Sequence, residues 1–302
     1  MTDSRATVDR ADALAGPVGS LRLHVANRGD RAIATDQYFQ GALRVLRPHY
    51  LDESGQVTYT IVNPGGGYLG GDVYDIDVEV AQDASLLLTT QSATKVYRTP
   101  EAAAHQRTVF RLGPRAVLEN LPDQLIAYRE AHYVQDTVVD MDASATFVTA
   151  EIITPGWAPD GTLFTYDEVR LRQEVRIDEV PVVLDSLIVR PDAGDESVES
   201  TLFMAGRTHL GTLLAVDGRI DDALVAEVRA LVDTALQERT GPSTAGRGHV
   251  TPVAGVSAVP GPGLAVRVLG TSTEHVQSAL MAVVDLLRAR WRAQDPVHLR
   301  KY

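Results

Sequence analysis

Apolar and polar residues alternate with a period of two along most of this chain, and only two stretches depart from it. Leu21, Leu23 and Val25 alternate with Arg22 and His24. Val57, Tyr59 and Ile61 share one face of a second run, and Ile76, Val78 and Val80 one face of a third, with Asp75, Asp77 and Glu79 opposite. ALRVLRP alternates until Pro48, and RTVFRL, TFVTAEII, VRLRQEVRI and VPVVLDSLIV have strand length and many β-branched residues. Period two with this composition marks half-buried strands. Gly113-Pro114, Pro155-Gly156 and Asp160-Gly161 break the runs as turns. The serial layout predicts a mainly β fold, a large and mostly antiparallel structure of stacked or β-helical sheets.

The two exceptions have helical spacing. Leu224, Val225, Val228, Leu231, Val232, Ala235 and Leu236 predict a helix over 221–240, with Asp221 and Asp222 at its start and Gly241-Pro242 as its stop. Val276, Leu280, Val283, Val284, Leu287 and Trp291 predict another over 272–293, opened by a capping box of Thr271 and Glu274 and followed by Pro296. Between them VSAVPGPGLAVRVLG predicts a hairpin turning at Pro260 to Gly263. The acidic stretch 191–200 and GPSTAGRG from Gly241 are expected loops. Residues 1–18 are expected to be loosely ordered, 19–302 to form one β-rich domain, and 217–302 to form its helix-containing layer. No repeat of solenoid period is evident beyond the strand rhythm.

Charge and composition narrow the chemistry. The 302 residues carry a formal net charge of −12, which disfavours nucleic acid as a partner. Cysteine is absent, so disulfides, thiolate nucleophiles and thiolate metal sites are excluded. The eight histidines are dispersed, without H-x-H or H-E-x-x-H spacing, so no tight metal site is read. No secretory leader or membrane-length apolar run is present, and a cytoplasmic protein is expected.

Between the second and third alternating runs stand Gly65, Gly66, Gly67, Gly70 and Gly71. Gly65, Gly67 and Gly70 satisfy G-x-G-x-x-G, but that fingerprint must open a helix, and here a strand pattern follows. No Gly-Lys-Ser/Thr follows to make a P-loop. A hydrolase or nucleotide-dependent enzyme using the Gly65–Gly71 loop is therefore the alternative reading, and a glycine-built turn the simpler one. Ser92 beside Lys95 has the residue types of a nucleophile and base, without an evident oxyanion loop. Asp72 sits where backbone amides of the turn can hold a carboxylate. The run Thr89, Thr90, Gln91, Ser92, Thr94, Lys95, Tyr97 and Arg98 must be solvated, networked or lining a polar channel, since an unpaired buried group costs about 1–3 kcal/mol.

NPGGGYLGGD followed by LLTTQSATKVYR resembles the signature of the urease accessory protein D family (UreD, also called UreH). The resemblance continues through LRVLRPHY, LENLPDQLIAYREAHYVQ and LAVRVLG, in order, from about residue 40 onward. It places Gly65, Gly66, Gly67, Gly70, Gly71 and Asp72 in one family block. Thr89, Thr90, Gln91, Thr94, Lys95, Tyr97 and Arg98 fall in a second, and Leu121, Pro122 and Tyr133 in a third. Where the family has further prolines after Leu-Pro, this chain has Gln124 and Ala127. The resemblance implies a β-helical body and a non-enzymatic scaffold. Such a scaffold joins the accessory F protein and the GTP-hydrolysing accessory G protein to apo-urease for nickel insertion. It further implies a polar tunnel, with the second block, Ser92 and Asp72 as candidate lining residues. Nickel would be in transit, with transient contact at Asp72, and no cofactor tightly bound.

Overall fold

The computed structural model describes residues 16–191, 198, 200, 203–238 and 250–299. The expected loose N-terminus (up to residue 15), most of the 191–200 loop, the loop from Gly241 and the Gly241-Pro242 helix stop lie outside the described residues. The chain opens with a hairpin of β1 (Gly19–Arg28) and β2 (Arg31–Gly41), and the short β3 (Arg44–Val45) leads into the body.

From there the chain winds as a coil. β4 (Val57–Val62) lies on one side and β5 (Val73–Val80) on the other. β6 (Ser85–Thr90) returns beside β4, β7 (Thr94–Val96) turns the corner, and β8 (Ala104–Leu112) returns beside β5. β9 (Val117–Leu121), β10 (Leu125–Ala127) and β11 (His132–Met141) make the next turn in the same way. β12 (Thr146–Ile153) and β13 (Glu168–Ile177) make the last. The body is a β-solenoid of about 4 turns.

Antiparallel strands extend its ends. β14 (Val180–Val189) completes a seven-stranded sheet of order β14-β13-β11-β8-β5-β1-β2. β15 (His209–Val216), α1 (Asp222–Glu238), β16 (Val253–Ala258), β17 (Gly263–Gly270) and α2 (Thr273–Arg292) follow. The three strands continue the second sheet as β16-β17-β15-β12-β9-β6-β4-β3, and the helices pack over its outer face.

The β-helical body and both helices match the reading of the sequence, but the expected antiparallel pairing does not extend to the body. Strands β4 to β13 pair in parallel along the coil, and antiparallel ladders occur only at its flanks. A solenoid repeat is also present where none was evident. Val73 pairs with His105, His105 with Val134, and Val134 with Arg170, so equivalent positions carry unlike residues. The repeat lies in backbone pairing, which tolerates that divergence. Strands β2, β9, β10, β11 and β15 were not anticipated as such. The helix cap is Ser272 rather than Thr271: Ser272 is extended (φ −147°) and its Oγ accepts from His275 N at 3.3 Å. Asp221 does cap α1, accepting from Leu224 N at 2.8 Å.

Alternation along each strand feeds two cores. Inward residues such as Val57, Leu86, Leu118 and Phe147 meet Val78, Phe110, Val139 and Val175 inside the coil. The opposite phase of the second sheet, with Leu87, Val148, Leu213 and Val266, packs on Val228, Val232, Val276, Leu280 and Val283. Truncating one such Leu to Ala would cost about 2–5 kcal/mol. Beneath the helices a charged residue takes one such position: Glu119 of β9, 1% exposed, accepts from Arg288 and Arg292 of α2. Arg288, also 1% exposed, donates as well to Gln56 Oε1 at 2.8 Å. This clasp fixes α2 on the coil. The Asp75-Asp77-Glu79 face is outward, and Asp77 pairs with Arg111 one coil on at 2.5 Å.

Candidate polar passage

The glycine turn brings an aromatic side chain into the coil. Gly66 has φ +84°, a left-handed value that glycine adopts without strain. A Cβ on Gly67 would stand 2.8 Å from Lys95 O and 2.6 Å from the Tyr97 ring. Their absence lets Tyr68 bridge the next coil, donating its N–H to Lys95 O at 2.8 Å and accepting from Tyr97 N at 2.9 Å. The Tyr68 ring then stacks on Tyr74, centroids 3.9 Å apart. The loop leads into strand β5, so it offers no helix N-terminus to a pyrophosphate, as the dinucleotide reading requires.

Asp72 is held by this turn. Its Oδ2 accepts from Leu69 N at 2.8 Å and from the Tyr74 hydroxyl at 3.1 Å. Burial first, with Asp72 adding to it, pushes the Tyr74 hydroxyl up to about 12. The ring stack carries the run from Tyr74 to Tyr68, and from there polar contacts lead inward. Tyr68 OH donates to Gln106 Oε1 at 2.6 Å, and Tyr133 OH lies 3.3 Å from that oxygen and 3.0 Å from Gln135 Oε1. Gln135 Nε2 donates to Glu151 Oε1 at 2.7 Å. A run of side chains thus leads from the glycine turn to a carboxylate inside the coil.

Of these, Tyr68, Gln106, Gln135 and Glu151 border a cavity of about 80 Å³, lined also by Thr108, Asn120 and Thr137. That is room for several waters, at about 10–15 Å³ each. A cavity of about 20 Å³ shares Gln135, Glu151, Ile153 and Leu171 with it and leads on to Arg172, Asp185 and Thr212. A further one of about 20 Å³ shares Pro122, Asp123 and Ile152 and lies beneath α2. Sharing lining residues, the three lie next to one another and are the candidate passage across the coil. Its central chamber sets amide, hydroxyl and carboxylate groups among apolar side chains such as Ile76, Leu88 and Phe110, and among its described lining residues there is no lysine or arginine. Burial raises the Glu151 carboxyl above its ordinary value, against the Gln135 hydrogen bond and with a contribution from Asp185. Such a chamber suits water and weakly held cations better than anions. Among the described residues no His, Asp and Glu group is arranged to hold a metal ion tightly.

The candidate residues are dispersed relative to this passage. Thr90 and Thr94 line the central chamber. Thr89 points to the other side of its sheet and donates to Leu121 O at 2.6 Å. Gln91 and Ser92 are exposed in the turn after β6, and Lys95 is half-buried against Gly67. Tyr97 stacks edge-on with Tyr128, and exposed Arg98 pairs with Glu130. Gly65 N donates to Asn63 Oδ1 at 2.9 Å, Gly71 has φ +78°, and Gly70 packs its backbone on Thr99. Leu121 faces the helices, Pro122 lies at the corner where two cavities meet, and Tyr133 is buried in the network.

Gln106, Thr108, Asn120, Gln135, Thr137 and Glu151 were missed. Their signal is phase: Gln106 and Thr108 alternate in step with buried Ala104, Phe110 and Leu112, as Gln135 and Thr137 do with Tyr133, Val139 and Met141.

Comparison with known proteins agrees with the motif blocks. The family model described as UreD urease accessory protein matches residues 18–301. A protein of Arthrobacter sp. (strain FB24) named urease accessory protein UreD is 51% identical over 292 residues, covering 95% of this chain and 94% of its own. Proteins of the same name from Kocuria rhizophila and Corynebacterium glutamicum (strain ATCC 13032) are 46% and 45% identical, covering 94% and 95% of this chain and 89% and 98% of their own. With the glycine turn, the coil and a match that spans nearly every described residue, the chain belongs to the UreD family of urease accessory proteins.

Proposed function

We propose that this protein serves urease maturation as a non-enzymatic scaffold, joining accessory F and G partners to apo-urease in the cytoplasm and passing nickel to it as cargo. The observation that carries the reading is the candidate interior passage, whose central chamber sets amide, hydroxyl and carboxylate groups among apolar side chains and is free of cationic ones. Oxygen donors with waters hold a divalent cation weakly and exchangeably, which fits passage rather than storage.

The test is to fill the chamber. Thr108→Leu with Thr137→Leu replaces two lining hydroxyls by bulk on neighbouring strands. Co-expressed with urease and its accessory proteins, this variant should still co-purify with them while urease activation falls at least several-fold. Full activation with the chamber filled overturns the passage. Failure of the parent protein to co-purify with urease and the accessory proteins overturns the scaffold.

A further inference from the structure

We propose that residues 293–299, the segment after α2, are a strap that closes one mouth of the interior passage. The inference rests on the passage reading and adds a gate to it. The chamber meets the small cavity beneath α2 at Pro122, Asp123 and Ile152. The outer wall of that cavity is made by Gln277, Leu280 and Met281 of α2 and by Leu299. Leu299 also borders an open groove of about 360 Å³ with Gln277, Met281, Val297 and His298. Gln277, Met281 and Leu299 therefore stand between the groove outside and the cavity next to the chamber, and of the three only Leu299 lies outside the helix.

The strap is anchored at its base. Ala293 turns the chain back in the left-handed region (φ 52°), its N–H returning to Ala289 O. Gln294 Nε2 donates to Ser54 Oγ at 2.6 Å, Arg288 Nε to Asp295 O at 3.2 Å, and Val297 N to Asp285 Oδ1 at 2.8 Å. Gln294 and Val297 are buried, whereas Leu299 is half-buried. A fixed base and an apolar tip make a flap whose end lifts without loss of the helix. A partner covering the groove beside α2 would displace Leu299 and open the mouth at the moment of docking.

Because the chain has no cysteine, one introduced thiol reports access without background. Asn120→Cys places it in the central chamber, and Thr212→Cys places it at the far end, in the cavity that continues past Glu151. Each full-length protein is labelled with a small cationic methanethiosulfonate, with and without Leu299→Gly. The strap predicts that Leu299→Gly speeds labelling of Asn120→Cys by about tenfold, as expected when a local opening becomes easier. Labelling of Thr212→Cys should stay within about twofold, and Leu299→Met, which keeps an apolar plug, should label at the parent rate. An unchanged Asn120→Cys rate, or equal acceleration at both positions, overturns the strap. Labelling reads access alone, so a chamber-filled variant that activates urease fully would overturn the passage reading without altering this result.

Discussion

Gln135 Nε2 donates to Glu151 Oε1 at 2.7 Å, and this bond spans the coil from the seven-stranded sheet to its opposite. The carboxyl is raised above its ordinary value of 4.5 by burial, against the Gln135 bond and with help from Asp185. A raised acid is ionised first in the unfolded chain. Stability contributed by neutral Glu151 is therefore complete below pH 4.5 and is lost as pH rises from there through the folded value, at about 1.4 kcal/mol per unit of difference. Glu151→Gln removes that loss. Thermal melts should show the variant gaining on the parent as pH is raised above 4.5, and parallel pH profiles would refute it.

Glu119→Gln should be among the most damaging single changes. It leaves Arg288, 1% exposed, with only the less buried Asp52 carboxylate at 3.3 Å, and breaking a buried pair costs about 3–5 kcal/mol. Urea denaturation measures this directly, and a loss below about 1 kcal/mol would mean the arginines find other partners.

Gly66→Ala forces a Cβ into left-handed backbone at φ +84° and should cost about 1–2 kcal/mol. Gly67→Ala should cost more, since its Cβ would meet the fixed Lys95 carbonyl at 2.8 Å. Equal melting of both variants and the parent would show that the turn has another way to seat Tyr68.

Asp72 holds its own turn, so Asp72→Ala should lower stability by about 1–2 kcal/mol before any effect on metal. Asp72→Asn keeps an oxygen for Leu69 N and removes only the charge. If that charge serves nickel, Asp72→Asn should lower urease activation while co-purifying with partners. Full activation by Asp72→Asn would confine Asp72 to the turn.

Local order was legible in the sequence, and its assembly was not. The Val73–Val80 alternation and the Val276-to-Leu287 stripe name their own buried faces, because burial imposes one period on a strand and another on a helix. Parallel pairing of Gln106 with Gln135 leaves no such trace, since a backbone ladder accepts any residue that fits the face. The glycine block marked where the network starts, but Glu151 and Gln135 read as ordinary polar positions until the coil turned them inward. Arg288 sits in the buried stripe of α2, and its charge hid that placement.

The clasp of Gln56, Glu119, Arg288 and Arg292 has a consequence for synthesis. A ribosome delivers Gln56 and Glu119 long before the arginines of α2 that donate to them. Until then Leu87, Leu121 and Val148 have no helix to cover them, and Glu119 has no counter-ion. Contacts this distant in sequence form slowly. The nascent coil thus waits, half-sealed and prone to misassociation, for its own C-terminus to arrive.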